Sequence, residues 1–578
     1  MLTPPIPVLL PLLMAAILAI VHRRVPPAFA SLVAVVTSIA VACVAVAMLV
    51  YSRDEPILVS AFAGFIFVID NVSAMLVLLA AILTTASLIY SSCYFDTSNT
   101  FYHALMLVFL GAMCGVSETG NLLNLFVFFE LVSIAAFFLC RYRSDPGPSR
   151  AAWTFVVTDN IAVLIVLAGI GLLYGRTHTL NLAQLGRTLH GPPDTVVAAA
   201  FALLVCGFLV KAAVIPFHFW LAGAVVVAPI PVGLLFGGAM VELGLYCVVR
   251  IYWSVFSDVF ALQQDQIRIL LATFGALTAI GAAVVCFAQR GLKRMLAFAV
   301  ISHSGILLLG IALLSRQALA GVEIYVMGHA LLTGGIFLAG GIVLHRTGML
   351  DELDLASRPH KLPLAAALLV AGAVGFAGMP PFASFWGAMM IGGAAHALHN
   401  NWVEWVSFAA AALTSGAILR FTAHALFGFG PTPVAAGHAP PEHPDTPTAM
   451  WLPATALIGL SLLSGLAPRL TGAAEAAAIH VQDRRAYASR VLDNQTPYPP
   501  TVGDQPVTTG DLARGFAGLA MAVLLAAITL RSNTTRRAAA TLGRVRRWHR
   551  QLMPDYVTWI MVGIGVFGAA AVVWLRSY

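Results

Sequence analysis

Apolar segments about 20 residues long follow one another along almost the whole chain, and this succession limits the fold more than any other feature. A run of about 20 apolar residues crosses the hydrocarbon core of a bilayer as one helix. Such windows fall near 5–21, 28–50, 68–90, 101–118, 121–140, 151–174, 195–229, 230–253, 267–287, 295–316, 321–344, 363–398, 402–427, 450–468, 513–531 and 555–575. That is sixteen, and 56–67 reads as a loop or a shallow helix. Of the 578 residues, 60% are hydrophobic and only 10% charged, where a soluble chain carries about 25% charge. The expected class is an all-α polytopic membrane protein with about 14–16 transmembrane helices.

The net charge of +7 does not point to nucleic acid, because the basic residues lie between the spans, as on cytoplasmic loops. No Gly-rich nucleotide loop or cofactor-attachment motif occurs, so no cofactor is expected. The seven cysteines lie in or beside apolar segments without a CxxC pair, which argues against iron–sulfur or haem ligation. No two His or Cys groups have ligand spacing, so no metal is implied. Residues 5–21 precede Arg23, Arg24 and Pro26 rather than a small-residue cleavage site, and read as a retained helix.

The basic clusters set a topology. Arg23–Arg24 follow the first span, and Arg141, Arg143 and Arg150 the fifth. Arg290, Lys293 and Arg294 follow the ninth, and Arg346, Arg358 and Lys361 the eleventh. Seven arginines between Arg531 and Arg550 follow the fifteenth. Every strong cluster follows an odd-numbered span. Odd-to-even loops are therefore expected inside and both termini outside, in a multi-pass bacterial inner (plasma) membrane protein.

Residues 195–229 and 363–398 are anomalous, each about 35 residues long. That is too long for one crossing and too short for two. Pro216 lies inside the first and Pro380–Pro381 inside the second, followed by PFHFW and PFASFW text. Proline removes a helical hydrogen bond. Non-helical backbone at membrane depth survives only against protein or a water-filled cavity. Both runs are expected to be broken helices. They recur in two five-span groups, 101–253 and 267–427. Because five is odd, the groups have opposite orientation, and inverted repeats with broken helices mark transporters. The expected divisions are 1–100 for N-terminal helices, 101–253 and 267–427 for the repeats, and 428–578 for C-terminal helices and loops.

Few ionisable groups fall inside spans, and each costs at least about 2.5–3.5 kcal/mol there, so each is a functional candidate. Glu130 sits in FVFFELV, Lys211 in the first broken run and Glu242 in AMVELGLY. Lys293 and Arg294 open the tenth span, His303 lies further along it, and His329 lies in the eleventh. Asp70, Asp159, Arg420 and His424 stand nearer span ends, and His218 follows the first break. Such a file of acids, bases and imidazoles passes protons when water joins its members. Plain alternatives stand beside each. Glu130 and Lys211 can form a static lock, and His303 and His329 can be satisfied core residues. Lys293 and Arg294 can be topology anchors, Asp70 and Asp159 helix caps, and Arg420 and His424 interfacial groups.

The segments FFELV, VKAAVIPFHFWL, APIPVGLLF, LKRMLAFAVISHSG and GMPPFASFW, over roughly residues 60–430, resemble the antiporter-like subunits. These subunits occur in Mrp cation/proton antiporters, respiratory complex I and membrane-bound hydrogenases. IPVLLPLLMAAIL and DRRAYASRVL look most like the D-type subunit of the Mrp antiporters. The resemblance implies two inverted five-helix bundles and a Glu130–Lys211 pair. It also implies a hydrophilic axis represented by Lys293, His303 and His329. The pattern departs where the family often has histidine at Gly237, lysine at Glu242 and Thr333, and lysine or sometimes glutamate at Ala388. The second half has thus lost its principal switching residue. With the extra acid, a Glu130–Lys211–Glu242 triad is expected.

The functional expectation is a proton- and cation-translocating component of a multisubunit Mrp-type antiporter. Its partners would be other membrane subunits, protons, a monovalent cation and the lipid bilayer, with no nucleic acid. Two alternatives are a proton-pumping component of a complex I-like NADH-quinone oxidoreductase or membrane-bound hydrogenase, holding no redox centre itself, and a structural scaffold with a degenerate ion path. Beyond residue 430, 431–449 reads as a loop and 469–512 as an external amphipathic excursion. The basic stretch 532–550 reads as a site for anionic lipid or an acidic partner, or as a topology anchor.

Overall fold

A computed structural model describes residues 5–52, 57–95, 99–142, 150–357, 362–430, 445–467, 469–493 and 507–531, together with 561–563, 565 and 568. The described helices are α1 (Ile6–Val21), α2 (Pro27–Tyr51), α3 (Asn71–Tyr94), α4 (Thr100–Glu118), α5 (Leu122–Cys140), α6 (Arg150–Thr177), α7 (Leu182–Thr188), α8 (Thr195–Lys211), α9 (Phe219–Val227), α10 (Ile230–Leu235), α11 (Val241–Ile251), α12 (Gln264–Ala288) and α13 (Leu292–Ala312). They continue with α14 (Arg316–Thr347), α15 (Glu352–Ala356), α16 (Pro363–Phe376), α17 (Ala383–Ala397), α18 (Trp402–Ala425), α19 (Thr448–Gly465), α20 (Leu470–Gln482), α21 (Arg484–Asp493) and α22 (Thr509–Arg531). Among the described residues, twelve helices are long and apolar enough to cross a membrane. The shorter α1 and the two runs split by proline, 195–229 and 363–398, account for three more of the sixteen windows. The window 555–575 falls largely outside the described residues, as do the stretch 532–550 and most of 431–449.

Residues 56–67 correct the expectation of a loop or shallow helix. Residues 58–67 enter an antiparallel hairpin of β1 (Leu58–Phe62) and β2 (Phe65–Ile69), with Leu58 opposite Ile69 and Phe62 opposite Phe65. The two turn residues, Ala63 and Gly64, both have positive φ, 50° and 84°. That is the backbone a two-residue hairpin turn requires. Residues 469–493 form two helices: α20 packs chiefly on α14, and α21 lies on α7, with Arg484 donating to the Gly186 carbonyl at 2.6 Å.

The centre of the molecule is the stretch Ile230–Phe256 with α13 and α14, whose apolar windows are 100%, 100% and 94% buried. The same measure falls to 33% for α2 and 22% for α22, which lie outermost. Within the central stretch, Phe236–Met240 and Tyr252–Phe256 are π-helical turns on either side of α11. Single π turns inside α-helices recur at functional sites.

Both proline runs break, and they break alike. In the first, α8 ends at Lys211, Ala213 takes φ 52°, and α9 resumes at Phe219. In the second, α16 ends at Phe376, Gly378 takes φ 71°, and α17 resumes at Ala383. The hydrogen bonds that close the breaks match. The Val214 amide donates to the Leu209 carbonyl and the Met379 amide to the Val374 carbonyl. Likewise Phe217 donates to Val214, and Phe382 to Met379. Each pair is displaced by 165 positions, as are Lys211 and Phe376. A second matched set joins the start of α5 to the approach to α7, and the start of α13 to the approach to α15. Leu122 donates to Leu180 and Leu182 to Gly120, while Leu292 donates to Leu350 and Glu352 to Arg290. There the displacement is 170 positions, which aligns α5 with α13 and α6 with α14.

Candidate functional site

Lys211 is the last helical residue before the first break, and it is 2% exposed. An ammonium buried that deeply needs a counter-charge, because an unpaired buried ion costs several kcal/mol. Asp159 on α6 supplies it, with Oδ1 2.5 Å from Lys211 Nζ. Nζ also donates to Ser133 Oγ on α5 at 2.8 Å and lies 5.6 Å from the centre of the Phe129 ring. The break is held by Trp220, whose indole donates to the Val210 carbonyl at 2.8 Å. Thr278 on α12 accepts from the Ile215 amide at 3.0 Å, tying the break to the second helix group.

This arrangement corrects two expectations. Asp159 is not a cap near a span end; it is the buried partner of Lys211. Glu130 is half-buried one turn before Ser133, and its Oε1 has no hydrogen-bond partner among the described residues. Lys211 therefore rests beside Glu130's helix without binding Glu130. The expected triad does not form either, because Glu242 faces another residue.

Glu242 is the second residue of α11, in its first turn after the π turn, and it is 2% exposed. Its Oε1 lies 2.9 Å from His329 Nδ1, while Oε2 has no hydrogen-bond partner among the described residues. His329 Nε2 lies 3.3 Å from Thr333 Oγ1. The His329 ring stacks on His303 with centres 4.9 Å apart. His303 in turn meets Tyr325 at 2.9 Å through Nδ1 and Thr414 at 3.1 Å through Nε2. Glu242, His329, His303 and Tyr325 thus form a continuous buried file. α11 reaches the end of α8 because Gly244 has no side chain; a Cβ there would lie 2.7 Å from the Ala212 nitrogen.

The remaining candidates divide. Lys293 does not stand in the file: its Nζ donates to the Val226 and Ala228 carbonyls at 3.0 and 2.6 Å, capping the end of α9. A cation there meets the negative end of the helix dipole. His218 is buried against Phe219 and 6.1 Å from the centre of Phe298. Pro216, Pro380 and Pro381 all lie at the breaks. Asp70 caps α3, accepting from the Ser73 amide at 2.9 Å, and pairs with Arg250 at 2.6 Å. Arg420 and His424 are buried in an ion-pair cluster rather than exposed. They hold the buried carboxylate of Glu352 at 2.9 and 3.0 Å. Burial pushes Glu352 up, but the bonds from His424 and Arg420 outweigh it and hold the carboxyl below its usual range.

Sequence reasoning missed Glu118, Arg250, Glu323 and Glu352. Glu118 is fully buried, with neither oxygen hydrogen-bonded among the described residues. It and Glu323 stood at the edges of apolar windows, where a charge looks inexpensive.

A many-span helical protein with two broken helices and an internal file of acid, imidazole and ammonium groups belongs to the class of ion-handling membrane proteins. Residues 119–414 match the family described as NADH:quinone oxidoreductase/Mrp antiporter, transmembrane, and the chain belongs to that family. The N-type subunit of the NADH-quinone oxidoreductase of Desulforudis audaxviator is 32% identical over 56% of this chain, which spans 65% of that relative's length. The D-type subunit of the Na(+)/H(+) antiporter of Bacillus subtilis is 26% identical over 70% of this chain and 80% of its own. Among solved structures, a chain of the Mrp complex from Dietzia sp. DQ12-45-1b aligns with a TM-score of 0.75 and 25% identity. The alignment covers 85% of this chain and 99% of that one. A chain of respiratory complex I from Thermus thermophilus shares the fold, with a TM-score of 0.64 and 23% identity over 81% and 99% of the two chains.

Proposed function

We propose that this chain is the proton- and cation-translocating membrane component of a multisubunit cation/proton antiporter of the Mrp type. The observation that carries the reading is the buried Lys211–Asp159 pair at the break of α8, beside the file from Glu242 to Tyr325. A buried ion pair at a discontinuous helix is poised for exchange. Lys211 has a second acid, Glu130, one turn from its Ser133 partner. Moving from Asp159 to Glu130 would release one carboxylate to take a proton while the other holds the ammonium. Two relatives named as D-type subunits of Na(+)/H(+) antiporters, whose lengths are spanned to 80%, support this reading.

The division into repeats at 101–253 and 267–427 belongs to the same proposal and is supported by the matched hydrogen bonds. So do other membrane subunits as partners, inward-facing basic loops, both termini outside and residence in a bacterial inner membrane. A second reading, the proton-pumping arm of a complex I-like enzyme, draws support from the 32% identical oxidoreductase relative. Co-purification of the native complex separates the two. Small membrane proteins alone support the antiporter, and iron–sulfur proteins support the respiratory enzyme. Lys211→Ala tests translocation itself. Proton-coupled cation transport in everted vesicles, per amount of assembled complex, is expected to fall to background, whereas a scaffold would leave it unchanged.

A further inference from the structure

The second break carries no cation of its own: Phe376 stands where the first has Lys211. The file nevertheless continues past it. Tyr325, bonded to His303, lines a cavity of ≈ 90 Å³ together with Phe376, Gly378, Ala388, Glu404 and Ser407. One water needs about 10–15 Å³ by this measure, so several fit. The far wall is not made by the helices of the break. It comes from α22, through Asp511, Arg514 and Gly515.

α22 is seated closely there. A Cβ on Gly515 would lie 3.0 Å from Pro380 Cδ and 3.1 Å from the Gly378 carbonyl oxygen. One on Gly518 would lie 2.9 Å from the Ala377 carbonyl oxygen. Small residues are what allow such an approach between membrane helices. Arg514 forms ion pairs with both Glu404 and Asp511. His396 Nε2 lies 2.5 Å from the other Glu404 oxygen. Glu404 is in the first turn of α18, Asp511 in the first turn of α22, and His396 in the last turn of α17. Three helix ends thus meet, and the cluster opens outward: the side chains of His396 and Arg514 are 50% and 40% exposed, those of Glu404 and Asp511 16% and 9%.

Resting on the ion-translocation reading, we propose that this cavity is the water-filled outlet of the path, with α22 supplying through Arg514 the cation that the second break lacks. Glu404, Asp511, Arg514 and His396 form its gate. A proton leaving His303 Nδ1 passes to the Tyr325 oxygen as the hydroxyl proton of Tyr325 passes to cavity water. From there it reaches Glu404 when Arg514 turns to Asp511. Charge balances at each transfer and no co-reactant is required.

The full chain in its assembled complex, in everted vesicles, provides the test. Arg514→Gln is expected to lower proton-coupled transport about tenfold, while Arg514→Lys retains most of it. Ala388→Lys in the Arg514→Gln background returns a cation to the break and is expected to recover most of the loss. Separately, in right-side-out vesicles, where the loops before α18 and α22 face the medium in the proposed topology, Ser407→Cys is expected to react with a membrane-impermeant thiol reagent. Unchanged transport in Arg514→Gln overturns the gate. So does a loss that neither lysine variant recovers, which would mark Arg514 as a clamp between α18 and α22. An unreactive Ser407→Cys overturns the water-filled outlet. Failure of the unsubstituted complex to transport any cation would count against the functional reading instead, and the thiol reaction would still decide whether the cavity holds water.

Discussion

The two helix breaks share a backbone and differ in chemistry. Matched hydrogen bonds close them, yet Lys211, Asp159 and Ser133 at the first correspond to Phe376, His329 and His303 at the second. The first is a buried ion pair. The second is an aromatic stack, with the Phe376 ring 4.4 Å from His303 and 5.4 Å from His329, centre to centre. A broken helix is thus a mount rather than a mechanism. What is set on it decides whether charge moves there, and here the second break leaves the charge to Glu242 on one side and to α22 on the other.

The largest effect is expected from stranding a charge at the first break. Asp159→Ala leaves Lys211 buried without its counter-ion, at a cost of about 3–5 kcal/mol. The amount of assembled complex in membranes should fall sharply, and Glu130→Ala should lower it much less. Transplanting the pair comes next. Phe376→Lys alone should destabilise by about 3 kcal/mol, as an unpaired buried ammonium. Adding His329→Asp should recover part of that, read as the melting temperature of the purified complex. If the double variant is no better than the single one, the two breaks do not correspond.

A smaller effect is expected where the file keeps its shape. Glu242→Gln preserves a hydrogen bond to His329 and removes the proton-exchanging carboxyl, so transport should drop about tenfold with assembly intact. Glu242→Lys should cost more, since it faces an imidazole instead of a carboxylate. Smaller again is the lock at Glu352. Its carboxyl is held below the usual range by His424 and Arg420 against the opposing push of burial. A depressed folded-state value means the contribution is present above the unfolded value, about 4.3, and is lost as pH falls through the folded one. Glu352→Gln should lower stability by about 1–2 kcal/mol at neutral pH and flatten that acid-side decline. An equal loss at every pH would contradict the assignment.

Much of the architecture was readable because its signals are strong and local. Apolar windows, Pro216 and Pro380–Pro381, and the repeated proline–phenylalanine text ending in tryptophan located the spans and both breaks from sequence alone. The hairpin at 58–69 was missed because FIFVI is as apolar as a helical segment, and the Ala63–Gly64 turn is a weak cue beside it. Partner choice was the harder problem. Glu130, Asp159 and Glu242 are each spaced to reach Lys211 if only the sequence is known. Helix rotation decides among them, and rotation follows from packing such as the contact of Gly244 with Ala212. Lys293 was misread as axial for the same reason: its helix presents it to the end of α9. The contribution of α22 lay beyond reach, because no local pattern ties residue 514 to a break more than a hundred positions earlier.

The most direct measurement is a double-mutant cycle between Lys211→Ala and Asp159→Ala. It is read in everted vesicles as both assembled complex and proton-coupled cation transport. Lys211 paired with Asp159 as a working switch predicts that each single variant depletes the complex, that the double variant restores much of its level, and that transport stays at background in all three. Independent, additive losses of complex, or transport returning with assembly in the double variant, would contradict it.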